Sequence, residues 1–170
     1  MTDAHHGQPV LAELFRHNLW ANLTLIDLCL TLPDKILETN VPGTFGGIPE
    51  TLTHVVGAEE RYLLALAGGT TQRSPSLEEI APDLATVREH ARQSGERFIA
   101  YAGTVEGNPI LDVTWHGQTY KIPTAFYLVQ AINHSTEHRS QVKIALTQAG
   151  ISPPELDGWT WDDERLEQSQ

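Results

Sequence analysis

Apolar residues recur at intervals of three and four along four long stretches of this chain, and Pro or Gly follows each of them. That spacing puts the apolar side chains on one face of an α-helix. The first stretch, Val10 to Leu32, carries Leu11, Leu14, Phe15, Leu19, Leu23, Ile26 and Leu30, and Pro33 ends it. The second, Pro49 to Ala67, carries Leu52, Val55, Val56, Tyr62, Leu63 and Leu66, and Gly68-Gly69 stops it. The third, Ser76 to Tyr101, opens on Ser76 with Glu79 three residues on, a capping box, and holds Leu84, Val87, Ala91, Phe98 and Ile99. Its sparser stripe predicts a more peripheral helix, and Gly95 weakens it by about 1 kcal/mol relative to Ala. The fourth, Pro123 to Ala149, stops at Gly150.

Between the third and fourth helices, β-branched and aromatic residues take over: Val113, Trp115, Thr119, Tyr120 and Ile122 flank His116-Gly117. A short β-hairpin or extended crossover is predicted there, with His116 at the turn. Four long helices and one short β element imply an all-α four-helix bundle. The long third connection permits a topology other than simple up-down-up-down. Pro33 to Pro49 is a long loop rich in Gly and Pro, suited to a lid or pocket wall. The whole chain, 1–170, fits a single domain. Residues 1–8 are an N-terminal tail, in which His5-His6 is a stray chelator at most. Residues 152–170 are a C-terminal tail whose Trp159 and Trp161 dock on the bundle or a partner chain, with Asp162 to Gln170 frayed.

Composition removes several functions. The net charge is -11, from 22 acidic and 11 basic residues. Such a chain lacks the basic face needed to bind nucleic acid or anionic lipid. No apolar run reaches the length of a membrane span. Cys29 is the only cysteine, so no internal disulfide forms. It lies in an apolar helical run, where it is expected to be a buried, inert thiol. The expected location is the cytoplasm.

The chemistry lies in three histidines. His134 and His138, four apart on the fourth helix, project from the face that carries Tyr127, Ala131, Val142 and Ala145. His54 sits on the second helix beside Thr51, Val55, Ala58, Tyr62 and Ala65, with small Thr51 and Ala58 leaving it room. Neighbouring helix axes in a bundle lie about 8–10 Å apart. Imidazoles from both helices can therefore meet on one divalent metal. Three protein nitrogens leave a position for water or substrate, which is the pattern of catalytic rather than structural sites. The reacting group would then be metal-bound water or a thiolate. Imidazole suits zinc, nickel, iron and copper alike. Around this triad, Gln141 lies beside the histidine stripe and Asn22 is a polar residue within the first helix. Arg139 reads as a bundle-edge ion-pair partner of Glu59 or Glu60, themselves expected to be solvated. His90 reads as a surface residue, and Trp20 as a packing residue.

These residues also carry a resemblance. His54 within Leu52-Thr53-His54-Val55-Val56-Gly57-Ala58-Glu59-Glu60-Arg61-Tyr62-Leu63 resembles the second helix of the DinB/YfiT-like family. Asn133-His134-Ser135-Thr136-Glu137-His138-Arg139-Ser140-Gln141-Val142 is similar to its fourth-helix signature, H-x-x-x-H-R-G-Q, with Ser140 in place of Gly. Asn18-Leu19-Trp20-Ala21-Asn22 and Gly150 to Asp157 match as well. The resemblance implies a four-helix bundle, commonly a homodimer, with one divalent metal (zinc, nickel or iron) on His54, His134 and His138. Asn22, Tyr62, Arg139 and Gln141 are then candidates for the surrounding shell or pocket. It also implies a metal-dependent enzyme, foremost a thiol S-transferase in detoxification or stress response. The substrate would be a small molecule, with a low-molecular-weight thiol such as bacillithiol, mycothiol or glutathione as co-substrate. A metal-dependent hydrolase and a non-catalytic metal-binding stress protein are the alternatives.

Overall fold

The computed structural model describes residues 10–68, 77–80, 83–115 and 117–167. Its architecture is mostly α, as the periodicity implies. Helices α1 (Val10–Leu30), α3 (Ile48–Leu66), α5 (Leu84–Thr104) and α6 (Thr124–Gln148) form the bundle. Short helices α2 (Asp34–Leu37), α4 (Leu77–Ile80) and α7 (Gly158–Glu167) decorate it. Strands β1 (Ile110–Trp115) and β2 (Gln118–Pro123) pair antiparallel, with Val113 opposite Tyr120 and Thr114 opposite Thr119. The hairpin thus lies where the β-branched run placed it; His116 falls outside the described residues.

Two apolar clusters fill the two ends of the bundle and fix its topology. At one end Leu25, Ile26 and Cys29 from late α1 meet Ile48 and Leu52 from early α3, Val87 from early α5 and Leu146 from late α6. At the other end Phe15, Leu63, Phe98 and Leu128 meet from the opposite ends of the same helices. So α1 and α6 run one way, and α3 and α5 run the other. The end of α3 and the start of α5 therefore lie at opposite ends of the bundle. The departure from up-down-up-down arises between them, and not at the hairpin connection, which joins the adjacent ends of α5 and α6.

Several expectations need correction. The long third helix does not begin near Ser76. It starts at Leu84, where the Asp83 carboxylate accepts from the Thr86 N–H at 2.8 Å and caps the first turn. Ser76 lies outside the described residues, and Leu77–Ile80 is a separate turn of helix. Nor is α5 peripheral. Val87, Ala91 and Phe98 are fully buried, and the Phe98 ring stacks on Phe15 with centroids 4.7 Å apart. Leu14 and Leu30, part of the expected apolar stripe, are exposed instead. The tail is also more ordered than expected, since α7 continues to Glu167. It lies along α1: His17 Nε2 is 3.0 Å from the Leu156 carbonyl, and Trp20 donates to Glu164 at 2.8 Å. Trp20 is thus a hydrogen-bonding residue as well as a packing one. Of the two tail tryptophans, Trp161 meets His17 edge-on, whereas Trp159 is 84% exposed.

Gly95 has a reason that the propensity scale does not carry. A Cβ built there would lie 2.5 Å from Leu19 Cδ1 and 2.9 Å from Leu19 Cβ. The glycine lets α1 and α5 approach closely. Gly95→Ala should therefore lower stability by about 1–3 kcal/mol through overpacking, even though alanine is the better helix former. A chemical denaturation midpoint at or above wild type would contradict that assignment.

Candidate metal centre

Helices α3 and α6 pack antiparallel, and this places the three histidines together. One ligand nitrogen from each of His54, His134 and His138 lies within 4.8 Å of the other two. His54 Nε2 and His134 Nε2 are 3.0 Å apart. That is near the separation of two nitrogens on one ion with bonds of about 2.1 Å. The rings stand at steep angles, His134 to His138 at 69° and His54 to His138 at 83°, so the nitrogens converge rather than stack. His138 is buried and the other two are half-buried. Among the described residues the group contains no fourth His, Cys, Asp or Glu.

The residues next to the triad hold it in place. His138 Nδ1 lies 2.9 Å from Gln141 Oε1. Since that oxygen only accepts, Nδ1 carries the proton and Nε2 keeps its lone pair for a ligand. The same oxygen accepts from the Phe45 N–H at 3.0 Å. Phe45 comes from the long loop before α3, and its ring stacks on His54 with centroids 3.9 Å apart and 18° between planes. The loop is therefore a wall of the site, and Phe45 is its contact residue. Periodicity did not single out Phe45, because it lies outside any helix. The loop itself is tied down by Thr44, which donates to the Val41 carbonyl, and by Glu50, which accepts from the Gly47 N–H at 2.7 Å. Tyr62, two turns along α3, turns its ring edge to His134 at 6.1 Å. Gln141→Ala should weaken metal binding 10- to 100-fold, the usual loss for a group that orients a ligating histidine. Isothermal titration with zinc would measure it, and an unchanged affinity would show that Gln141 does not orient His138.

Directly behind the triad lies a buried polar layer to which all four long helices contribute. Glu59 is only 1% exposed, so the expectation of a solvated carboxylate is wrong. Its Oε1 accepts from Asn18 at 2.8 Å, Asn22 at 2.9 Å and Ser135 at 3.0 Å, and its Oε2 accepts from Ser94 at 2.8 Å. Arg139 is 5% exposed and sits in the core, not at the bundle edge. Its Nη1 donates to Asn18 Oδ1 at 2.7 Å and Asn22 Oδ1 at 2.6 Å. The two carboxamides thus link the carboxylate to the guanidinium. Burial pulls the Arg139 guanidinium down to about 10, and Glu59 opposes that shift. It is still cationic at neutral pH. Asn22 therefore bonds to both Glu59 and Arg139, whose opposite charges are joined through the two carboxamides. Glu60, the other carboxylate expected in solvent, is half-buried and pairs with His90 Nδ1 at 2.6 Å, so neither is a free surface group.

Sequence reasoning missed Asn18, Glu59, Ser94 and Ser135 as a set. A signal was present. Glu59 falls into the three-four spacing Leu52, Val56, Glu59, Leu63, Leu66, and Asn18 and Asn22 continue Phe15 towards Leu25. All of these are buried. Cys29 is buried as well, and desolvation pushes its thiol up to about 12, which keeps it unreactive.

A sequence model of the DinB family matches residues 1–168. The chain belongs to the DinB family. It is also similar to Protein DinB of Bacillus subtilis (strain 168), with 23% identity over 153 residues, 85% of this chain and 89% of that protein. Membership accounts for the helical architecture and is compatible with metal binding at the three-histidine cluster. Among the described residues, no helix of this DinB-family protein is long and apolar enough to cross a membrane.

Proposed function

We propose that this DinB-family protein is a divalent-metal-dependent enzyme that transfers a low-molecular-weight thiol to an electrophile. The observation that carries the reading is the triad: three imidazole nitrogens within 4.8 Å of one another, with no fourth protein ligand in the group among the described residues. Three ligands with a position left over are the mark of catalytic sites. The donor set fits zinc, nickel or iron. When bound, the ion would supply the positive charge that holds a thiol as its thiolate at neutral pH.

The chain's own residues would do the rest. His54, His134 and His138 hold the ion. Gln141 keeps His138 in the tautomer that binds it. Phe45 lies flat on His54 and shields that side from water. Among the described residues no Asp or Glu belongs to the histidine cluster. That favours a nucleophile that ionises easily, such as a thiol, over one that needs a separate base. A cytoplasmic homodimer goes with this reading, and light scattering would test the dimer.

The test is direct. Protein purified from its native host is analysed for metal, then assayed with glutathione, bacillithiol and mycothiol against 1-chloro-2,4-dinitrobenzene. Metal-dependent turnover with one thiol is expected, together with its loss in His54→Ala. Inactivity with every thiol would reject the transferase. Thiol-independent cleavage of nitrophenyl esters would point to a hydrolase instead.

A further inference from the structure

A cavity of about 560 Å³ opens between the hairpin and the α3–α6 pair. Tyr62 and Ala65 form its α3 wall, Tyr127 its α6 wall, and Val113 and Ile122 its hairpin wall. Phe126 and Tyr120 stand at the rim, 50% and 43% exposed. The size is that of a small-molecule pocket, and the lining is mostly aliphatic and aromatic, with Arg61 and Gln130 as its charged and polar members. Ring faces and edges of this kind favour a flat apolar ligand.

Its position ties it to the histidines. Gln130 lines the cavity one helical turn before His134, and Tyr127 lies a further turn back on the same face of α6. At 1.5 Å per residue, these walls lie about 6–10 Å along the helix from His134. Tyr62 borders both places: it lines the cavity, and its ring edge meets His134. A second apolar cavity, between α1 and α6 at Leu11, Leu14 and Val129, has no triad-contacting residue in its lining.

We propose that the cavity between the hairpin and the α3–α6 pair seats the apolar, ring-bearing part of the substrate, with its reactive end directed along α6 past Tyr62 to the triad. This deepens the transferase reading and rests on it for the word substrate. The hairpin then has a role in specificity: β1 and β2 supply the wall that selects an aromatic or branched-apolar electrophile. Tyr62, Phe126 and Tyr127 would be binding residues for it.

The neutral fluorophore N-phenyl-1-naphthylamine is the probe, titrated into metal-free protein so that binding is read without activity. One saturable site is expected. Phe126→Asp and Tyr120→Asp, at half-exposed positions outside the core, should each weaken it tenfold or more. Val129→Asp, in the second cavity, should leave it unchanged. Melting curves of all three variants should overlay wild type; if one aspartate variant melts early, the other carries the test. No saturable binding overturns the proposal, as does binding lost in Val129→Asp but kept in Phe126→Asp and Tyr120→Asp. The thiol assay separates the two readings. Probe binding that depends on Phe126 and Tyr120 without turnover on any thiol rejects the transferase and leaves the cavity as a ligand site. Turnover with probe binding indifferent to both substitutions rejects the cavity and leaves the transferase.

Discussion

Glu59→Leu is expected to destabilise the protein by about 3–5 kcal/mol, the cost of leaving a buried charge without its opposite. The side chain is 1% exposed, so its charge is fully inside the bundle. Without it, the Arg139 guanidinium stays buried and loses the charge that offsets its desolvation. Asn18, Asn22, Ser94 and Ser135 lose their shared acceptor at the same time. Each unsatisfied buried donor adds about 1–3 kcal/mol in isolation, although repacking and entering water recover part of it. Total stabilities of natural domains are about 5–15 kcal/mol, so this one change should remove a large share. Urea denaturation should show the midpoint falling by roughly 1–5 M, given slopes of about 1–3 kcal/mol per M. Arg139→Met in the same chain should restore part of the loss, because the two charges are then absent together. A midpoint within the error of wild type would mean that the layer carries no energetic weight.

That layer also marks where sequence reading stopped. Helices α1, α3 and α6 were legible to within about two residues, because Pro33, Gly68 and Gly150 close apolar periods that tertiary packing then uses. The start of α5 was misplaced. Ser76 and Glu79 satisfy the spacing of a capping box, but the long helix begins only after Pro82, with Asp83 as its cap. The histidine cluster was legible for a different reason. His134 and His138 stand four apart on the inward face of one helix, small Thr51 and Ala58 leave room beside His54 on another, and the motifs around all three resemble those of a known family. Glu59 and Arg139 obey the same spacing, but their charge argued for solvent; what reverses that preference is a set of partners on three other helices, which no local window contains. Topology was out of reach too. An apolar stripe says that a helix is covered, not which neighbour covers it or in which direction that neighbour runs.

The largest functional effect should come from the triad. Wild-type protein should take up one equivalent of zinc or nickel, and each of His54→Ala, His134→Ala and His138→Ala should weaken binding by on the order of a thousandfold. A lost ligand must cost more than the 10- to 100-fold of a lost orienting group. Stability gives an independent readout, because an ion that binds only the folded chain stabilises it. At a free concentration one hundred times the dissociation constant, the gain is about 2.7 kcal/mol. For a chain of this length, that corresponds to a melting temperature higher by roughly 5–11 °C. The three alanine variants should lose the rise at the same metal concentration, while Gln141→Ala should recover it when more metal is added. His5-His6 in the tail offers a second place for an ion to attach, so the titration should be repeated on a chain lacking residues 1–8. A tail site would account for uptake without a melting shift; it cannot produce a shift that vanishes when His134 alone is replaced. If the shift survives in His134→Ala, the ion is bound elsewhere, and the reading of α3 and α6 as two halves of one metal site is wrong.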